Sequence, residues 1–160
     1  FTHEGRAQKF KELSDERIPM HCASMCDTVG GRYAKLTQKD FAFLFSAATG
    51  LDFSAEDIAD LCDRVATLCL CFNLREGAPF TRQDNLSFWP RRMLEEPVPA
   101  GPAKGQVVSI PQLSIMLDEY YQLRGWDVKT GIPTRKTMAR LRLEEEARQL
   151  AQVINVPEGD

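Results

Sequence analysis

Ser54-Ala55-Glu56-Asp57-Ile58-Ala59-Asp60-Leu61-Cys62-Asp63-Arg64-Val65-Ala66-Thr67-Leu68-Cys69-Leu70-Cys71-Phe72-Asn73-Leu74-Arg75 is the stretch that decides the fold class. Ser54 has the side chain of an N-cap, and Glu56 and Asp57 place negative charge against the positive end of a helix. Ile58, Leu61, Cys62, Val65, Leu68, Cys69 and Phe72 then recur at helical spacing along one stripe, so the segment reads as a long amphipathic helix to about Arg75, ending before Gly77. On this reading Cys62, Cys69 and Phe72 face a core, while Cys71 lies off the stripe and is partly exposed.

Upstream, Thr37-Gln38-Lys39-Asp40 reads as a cap with an acid in the first turn, followed by Phe41, Leu44, Phe45 and Ala48 on one buried face and Gly50 as a stop. Gly5 to Arg17 is charged and amphipathic, with Ala7, Phe10 and Leu13 at helical spacing, and Pro19 is expected to break it from the next segment. A second short helix, about Met20 to Val29, is expected to stop at Gly30 and Gly31, where positive φ costs little.

Downstream, Pro79, Pro90, Pro97, Pro99 and Pro102 with Gly101 and Gly105 make regular structure unfavourable over most of Ala78 to Val108. Ser109 caps a helix with Pro111 in its first turn, and Leu113, Met116, Leu117 and Tyr120 face inward until Gly125. Thr134 starts another helix after Pro133, and Leu143 to Ile154 reads as a charged terminal helix. Gln106 to Val108 is too short to build a sheet. The fold class is therefore all-α: an irregular bundle of about six helices with one long Pro/Gly-rich loop, in a single domain over 1–160.

Hydrophobic residues at 43% and charged residues at 27% exclude a disordered or membrane-embedded chain. The net charge of -3 argues against a nucleic-acid partner, which needs a concentrated positive footprint. The one basic run, Arg135 to Arg148, contains Glu144, Glu145 and Glu146 and reads as a self-paired face, Arg140 with Glu144 and Glu144 with Arg148. Five cysteines are an odd number in helical sequence, so a reducing cytoplasm is expected rather than a disulfide framework. No apolar run of membrane-spanning length and no leader pattern is visible. The opening at Phe1 rather than Met carries the expectation of a fragment, a processed product or an excised domain.

Ile115-Met116-Leu117-Asp118-Glu119-Tyr120-Tyr121-Gln122-Leu123-Arg124-Gly125-Trp126-Asp127, followed by Gly131-Ile132-Pro133-Thr134, resembles the end of aldehyde ferredoxin oxidoreductases, where Tyr-Tyr-x-x-Arg-Gly-Trp-Asp leads into Gly-x-Pro-Thr and a last helix. Three further stretches fall in the order of that family: Ala47-Ala48-Thr49-Gly50, Phe72-Asn73-Leu74-Arg75-Glu76-Gly77, and Leu94-Glu95-Glu96-Pro97 leading to Gly101-Pro102-Ala103-Lys104-Gly105. The resemblance implies the C-terminal helical domain of an enzyme that holds tungsten, less often molybdenum, between two pterins beside a 4Fe-4S cluster. Such an enzyme oxidises aldehydes to acids and passes electrons to ferredoxin. The remaining domains of the oxidoreductase would be this chain's partners. Their Cys-x-x-Cys-x-x-x-Cys ligand run is absent here, so no cofactor is expected on this chain alone.

The same resemblance picks out a segment in which family members carry Asp-x-x-Gly-Leu-Cys, the Asp hydrogen-bonding the pterin and the Cys ligating the cluster. Here it reads Asp27-Thr28-Val29-Gly30-Gly31-Arg32. Asp27, Gly30, Gly31 and Arg32 are thus the candidate cofactor-binding residues, with Arg32 at the ligand position, where a guanidinium offers no thiolate to iron. No catalytic residue and no metal ligand is assigned. Cys22 and Cys26 stand one helical turn apart with His21 adjacent, yet a pair lacks the four converging ligands of a metal site and reads as buried small hydrophobes. Arg75 and Glu76 are expected to tie the long loop to the body, Lys104 to lie in a surface turn, and His3 to fray. The substitution at Arg32 also fits another class, a non-catalytic helical assembly or interaction module that has lost the cluster ligand.

Overall fold

The computed structural model describes residues 3–159; Phe1, Thr2 and Asp160 lie outside the described residues. Among them the chain forms α1 (Arg6–Cys22), a π turn (Thr28–Tyr33), α2 (Gln38–Thr49), α3 (Ala55–Arg75), α4 (Arg82–Ser87), α5 (Arg91–Glu95), α6 (Ile110–Arg124), α7 (Arg135–Arg140) and α8 (Glu144–Leu150). The fold is all-α. The only ladder-like pairing among the described residues is an isolated antiparallel bridge between Trp126 and Pro133. No described helix is long and apolar enough to cross a membrane.

Capping chemistry sets most boundaries. Ser54 and Asp57 form a reciprocal capping box at the start of α3, and Thr37 with Asp40 does the same for α2, which stops at Gly50 with φ 75°. A third box, Thr81 with Asp84, opens α4 inside the stretch expected to be irregular. Its three-residue spacing was hidden among the prolines. At the C-terminal side Arg142, at φ 57°, divides α7 from α8. The last helix is therefore shorter than Leu143 to Ile154, and the Arg140–Glu144–Arg148 ladder does not form. Arg140 instead pairs with Asp60 and Asp63 on α3, and Arg148 with Glu145.

Pro19 does not end α1, which runs three residues past it. The missing N–H of Pro19 leaves the Asp15 carbonyl without its helical donor, and the thiol of buried Cys62 donates to that oxygen at 3.3 Å. Helix α3 thus repairs the defect in α1. Pro19 itself is fully buried, so its ring also contributes packing.

Helix α3 is the axis of the molecule and buries two opposite faces. Near its start Ile58 and Cys62 pack with Met20, Phe41 and Ala42 from α1 and α2. Thr67 lies nine positions beyond Ile58, about two and a half turns at 3.6 residues per turn, and so on the other side. There Cys71 and Leu74 join Ile132, Met138, Leu141, Leu143, Ala147, Leu150 and Val156 in a second core. The single stripe expected from the sequence is correct only in the first half: Cys71 is 3% exposed, Phe72 is 55% exposed, and Cys69 is exposed. Arg75 bridges to Gln149 on α8 and to Glu76, so it ties α3 to the second core rather than to the long loop. In α2 the buried residues are Phe41 and Ala42, with Phe45 half-buried, while Leu44 and Ala48 face outward.

A buried charge network joins the helices at the centre. Arg124, 1% exposed at the end of α6, places Nη2 2.8 Å from Asp15 Oδ1 and donates from Nη1 to Asp63 Oδ1 at 2.7 Å. Lys11 reaches both carboxylates, at 2.6 and 3.1 Å. Arg124 Nε donates to the Tyr120 hydroxyl, and Trp126 Nε1 donates to Thr67. Burial works to strip charge from Arg124, yet Tyr120, Asp15 and Asp63 together hold its guanidinium above its ordinary value. Burial likewise opposes ionisation of Asp63, but Lys11 and Arg124 outweigh it and keep its carboxyl below the usual range.

Candidate functional site

The candidate residues lie where α1 turns back on itself. Ser24, at φ 52°, lets Met25 N–H donate to the Met20 carbonyl and Ser24 N–H to His21, which closes α1 with a Schellman motif. The chain then enters the π turn, with the Ala34 N–H reaching back to the Val29 carbonyl and the Leu36 N–H to Gly30. Gly30 and Gly31 lie inside this turn and do not end a helix, and neither has positive φ. The expectation of a helix over Met20 to Val29 is corrected accordingly: α1 takes its first three residues and the Schellman motif ends it.

Space, not backbone freedom, explains Gly30. It is buried, and a Cβ there would stand 2.7 Å from Met20 Sδ and 3.0 Å from Met25 Sδ. Gly31 is exposed, and a Cβ on it would stand 3.2 Å from Met20 Cε and 3.5 Å from Asp27 Oδ1. Asp27, just before the turn, makes no capping bond and is instead approached by Arg17 Nε at 3.5 Å. Arg32 is exposed and forms no ion pair with any described residue.

Two clefts meet at Gly31. One, about 380 Å³, lies between α1 and the π turn and is lined by Glu16, Arg17, Met20, Asp27, Thr28 and Arg32 among others. The other, about 550 Å³, runs from Glu16 and Met20 to Lys35, Thr37 and Phe41. The structure therefore brings Asp27, Gly31 and Arg32 to one opening, while Gly30 supports them from below. Glu16, Arg17 and Met20, which form the opposite wall, were not singled out in the sequence. Their signal was the proline two residues after Arg17, which reads as a helix end but lies within the wall.

Cys22, Cys26 and Cys69 are exposed, contrary to the expectation of buried thiols. The backbone N–H groups of Val29 and Thr28 pull the Cys26 thiol below its ordinary value, whereas burial and the nearby Cys69 push Cys22 up. Among the described residues no three His, Cys, Asp or Glu side chains converge as a metal site requires. Lys104 is exposed and lines neither cleft, and the carbonyl of His3 accepts from Arg6 N–H at the start of α1.

The donor set at the opening suits an organic ring better than an iron cluster. A carboxylate beside bare backbone accepts from ring N–H groups, whereas Arg32 offers only donors and cannot ligate iron.

Residues 1–143 match the family described as aldehyde ferredoxin oxidoreductase, domains 2 & 3. The chain is 42% identical over 147 residues to a tungsten-containing aldehyde ferredoxin oxidoreductase of Pyrococcus abyssi, covering 84% of this chain and 22% of that protein. It is 35% identical over 133 residues to the Thermococcus kodakarensis protein of the same name, covering 78% of this chain and 21% of the relative. The chain thus spans about a fifth of the length of the curated relatives it matches. Its fold is similar to part of the BamBC active-site complex of benzoyl coenzyme A reductase with 1,5-dienoyl-CoA, with a TM-score of 0.60 and 23% identity over 91% of this chain and 21% of that one.

Proposed function

The chain belongs to the aldehyde ferredoxin oxidoreductase family, and on that premise we propose that residues 1–160 are the C-terminal helical domain of a tungsten-pterin oxidoreductase. In this reading the chain closes the cofactor channel and is not active alone. The observation that carries it is the placing of the Asp27 carboxylate beside exposed Gly31 at the mouth of a cleft. Asp27 would accept hydrogen bonds from the N–H edge of a pterin, and the bare backbone of Gly31 would let the ring approach. Gly30, locked under Met20 and Met25, holds the turn in shape. The tungsten-pterin group, when bound, supplies the redox centre for oxidation of an aldehyde. Ferredoxin as acceptor and a cytoplasmic location belong to the same reading. All five cysteines are free, which supports the latter.

Arg32 does not fit a 4Fe-4S cluster, so the reading assigns none to this chain. The purified 160-residue chain is expected to be colourless and free of iron, and stoichiometric iron with sulfide would overturn that assignment. The same arginine, exposed and without an ion pair in the described chain, favours a second reading, the non-catalytic helical assembly or interaction module. Intact mass and tungsten content of the protein isolated from its native source separate the two. A polypeptide several times larger than 18.1 kDa that contains tungsten is the expected result. A tungsten-free native chain of that size would leave the second reading.

A further inference from the structure

We propose that Cys22 and Cys69 form a modification site, a dithiol that a small-molecule disulfide oxidises reversibly to an intramolecular disulfide. Packing accounts for Cys62 and Cys71, which are buried, but not for Cys22 and Cys69, which are exposed on two different helices. Helices α1 and α3 advance in step with α6 and the residues just after it. Phe10 meets Tyr120 and Asp15 meets Arg124 on one side, while Asp63 meets Arg124 and Thr67 meets Trp126 on the other. The two helices therefore run in the same direction, and their contact can be followed by register. Its fixed point is the hydrogen bond from the Cys62 thiol to the Asp15 carbonyl at 3.3 Å. About two turns further along each helix, at 3.6 residues per turn, stand Cys69 and Cys22, so both return to the facing sides. The two thiols are near enough that a charge on Cys69 opposes one on Cys22. The remaining thiols are poor competitors: Cys62 and Cys71 are buried, and Cys26, beyond the left-handed Ser24, is engaged by the N–H groups of Val29 and Thr28.

One cysteine, as its thiolate, attacks a sulfur of the small disulfide, breaks that S–S bond and expels one thiolate, leaving a mixed disulfide on the protein. The second cysteine gives up its proton, attacks the protein-bound sulfur, forms the Cys22–Cys69 bond and expels the other thiolate. The protein loses two electrons and two protons, and the small disulfide is reduced to two thiols. The bridge ties Cys22, the last residue of α1, to α3 directly before the turn at Ser24 that leads to Asp27, so it restrains that turn. This goes beyond the reading above and stands without a pterin. The test treats the reduced 160-residue chain with oxidised glutathione in buffer and in urea, quenches with acid, alkylates free thiols and maps the pairings by peptide mass spectrometry. In buffer the expected product is a Cys22–Cys69 disulfide, reversed by dithiothreitol, with Cys62 and Cys71 unmodified. The folded state holds the two thiols at a high effective concentration, so this pairing is expected to be enriched at least about tenfold over urea, where pairings scramble. Cys26→Ser is expected to keep the bridge, and Cys22→Ser and Cys69→Ser to leave only glutathione adducts, with circular dichroism reporting that each variant retains its helices. Hydrogen exchange of the amides over 24–33 is expected to slow in the bridged chain. A Cys22–Cys26 bridge, adducts alone on the unsubstituted chain, or the same mixture with and without urea would overturn the pairing. Unchanged exchange over 24–33 would overturn its hold on the turn.

Discussion

Arg124, 1% exposed, is the most deeply buried charged side chain among the described residues. It carries its charge into the interior, where Asp15, Asp63 and Lys11 meet it, so Arg124→Met is expected to leave two carboxylates against Lys11 and the half-exposed Arg140. Removing one partner of a buried ion network costs about 3–5 kcal/mol, which urea denaturation at neutral pH would register; a loss below about 1 kcal/mol would mean that water replaces the guanidinium. The thiols make a second residue-level prediction. Burial pushes Cys62 and Cys71 from the ordinary 9.0 up to about 12. Because the folded value is raised, the folded state keeps protons that the unfolded chain releases. This contribution is whole below about pH 9 and is lost as pH climbs towards about 12. The urea midpoint is expected to fall through that window, less steeply in a Cys71→Val variant; parallel curves would contradict it. The burial of Cys62 follows from its place on the apolar stripe, but the network does not: Arg124 belongs to the family signature, yet its carboxylate partners are 61 and more residues away in sequence, and spacing patterns see only near neighbours.

Among the elements, α3 shows how far periodicity reaches. Its start, its cap and its first buried turn follow from Ser54, Asp57 and Ile58, because those signals are local. The face it buries after Thr67 does not, since a helix with apolar residues on several sides presents whichever one its neighbours cover. Accordingly Phe72→Ala is expected to change stability by no more than about 0.5 kcal/mol, as surface substitutions do. Ile58→Ala should cost about 2–5 kcal/mol by opening a cavity in the first core. Thermal melts of the two variants decide the matter, and a larger loss from Phe72→Ala would restore the single stripe. Helix α1 teaches the complementary lesson. Pro19 is a valid stop signal whose effect is cancelled by a thiol 43 positions on, and from that cancellation follows the wall of the candidate cleft. The site residues themselves were legible as a motif, but their geometry depends on Ser24 taking a left-handed conformation that its residue type does not announce.

For the molecule as a whole, the two cores are of unequal sequence origin: the first is built from residues before α4, the second from α3 and the C-terminal segment. The fold class was readable because helical pattern fills nearly every segment outside the Pro/Gly-rich stretch, and the division into two cores was not, because it is set by which helices cross α3. A chain cut after residue 108 would keep every residue of the first core yet lack Arg124. It is expected to fail to fold cooperatively, with a broad melt and amides that exchange freely; a sharp transition would show that the first core stands alone. The buried network has a further consequence for the order of events. During synthesis α1, α2 and α3 leave the ribosome with Asp15 and Asp63 balanced only by Lys11, and the guanidinium that completes them arrives much later. The nascent first half is therefore expected to consolidate only once α6 emerges. A buried arginine late in the chain thus acts as a clock as well as a clamp, holding back consolidation until the helices that complete the second core are on their way.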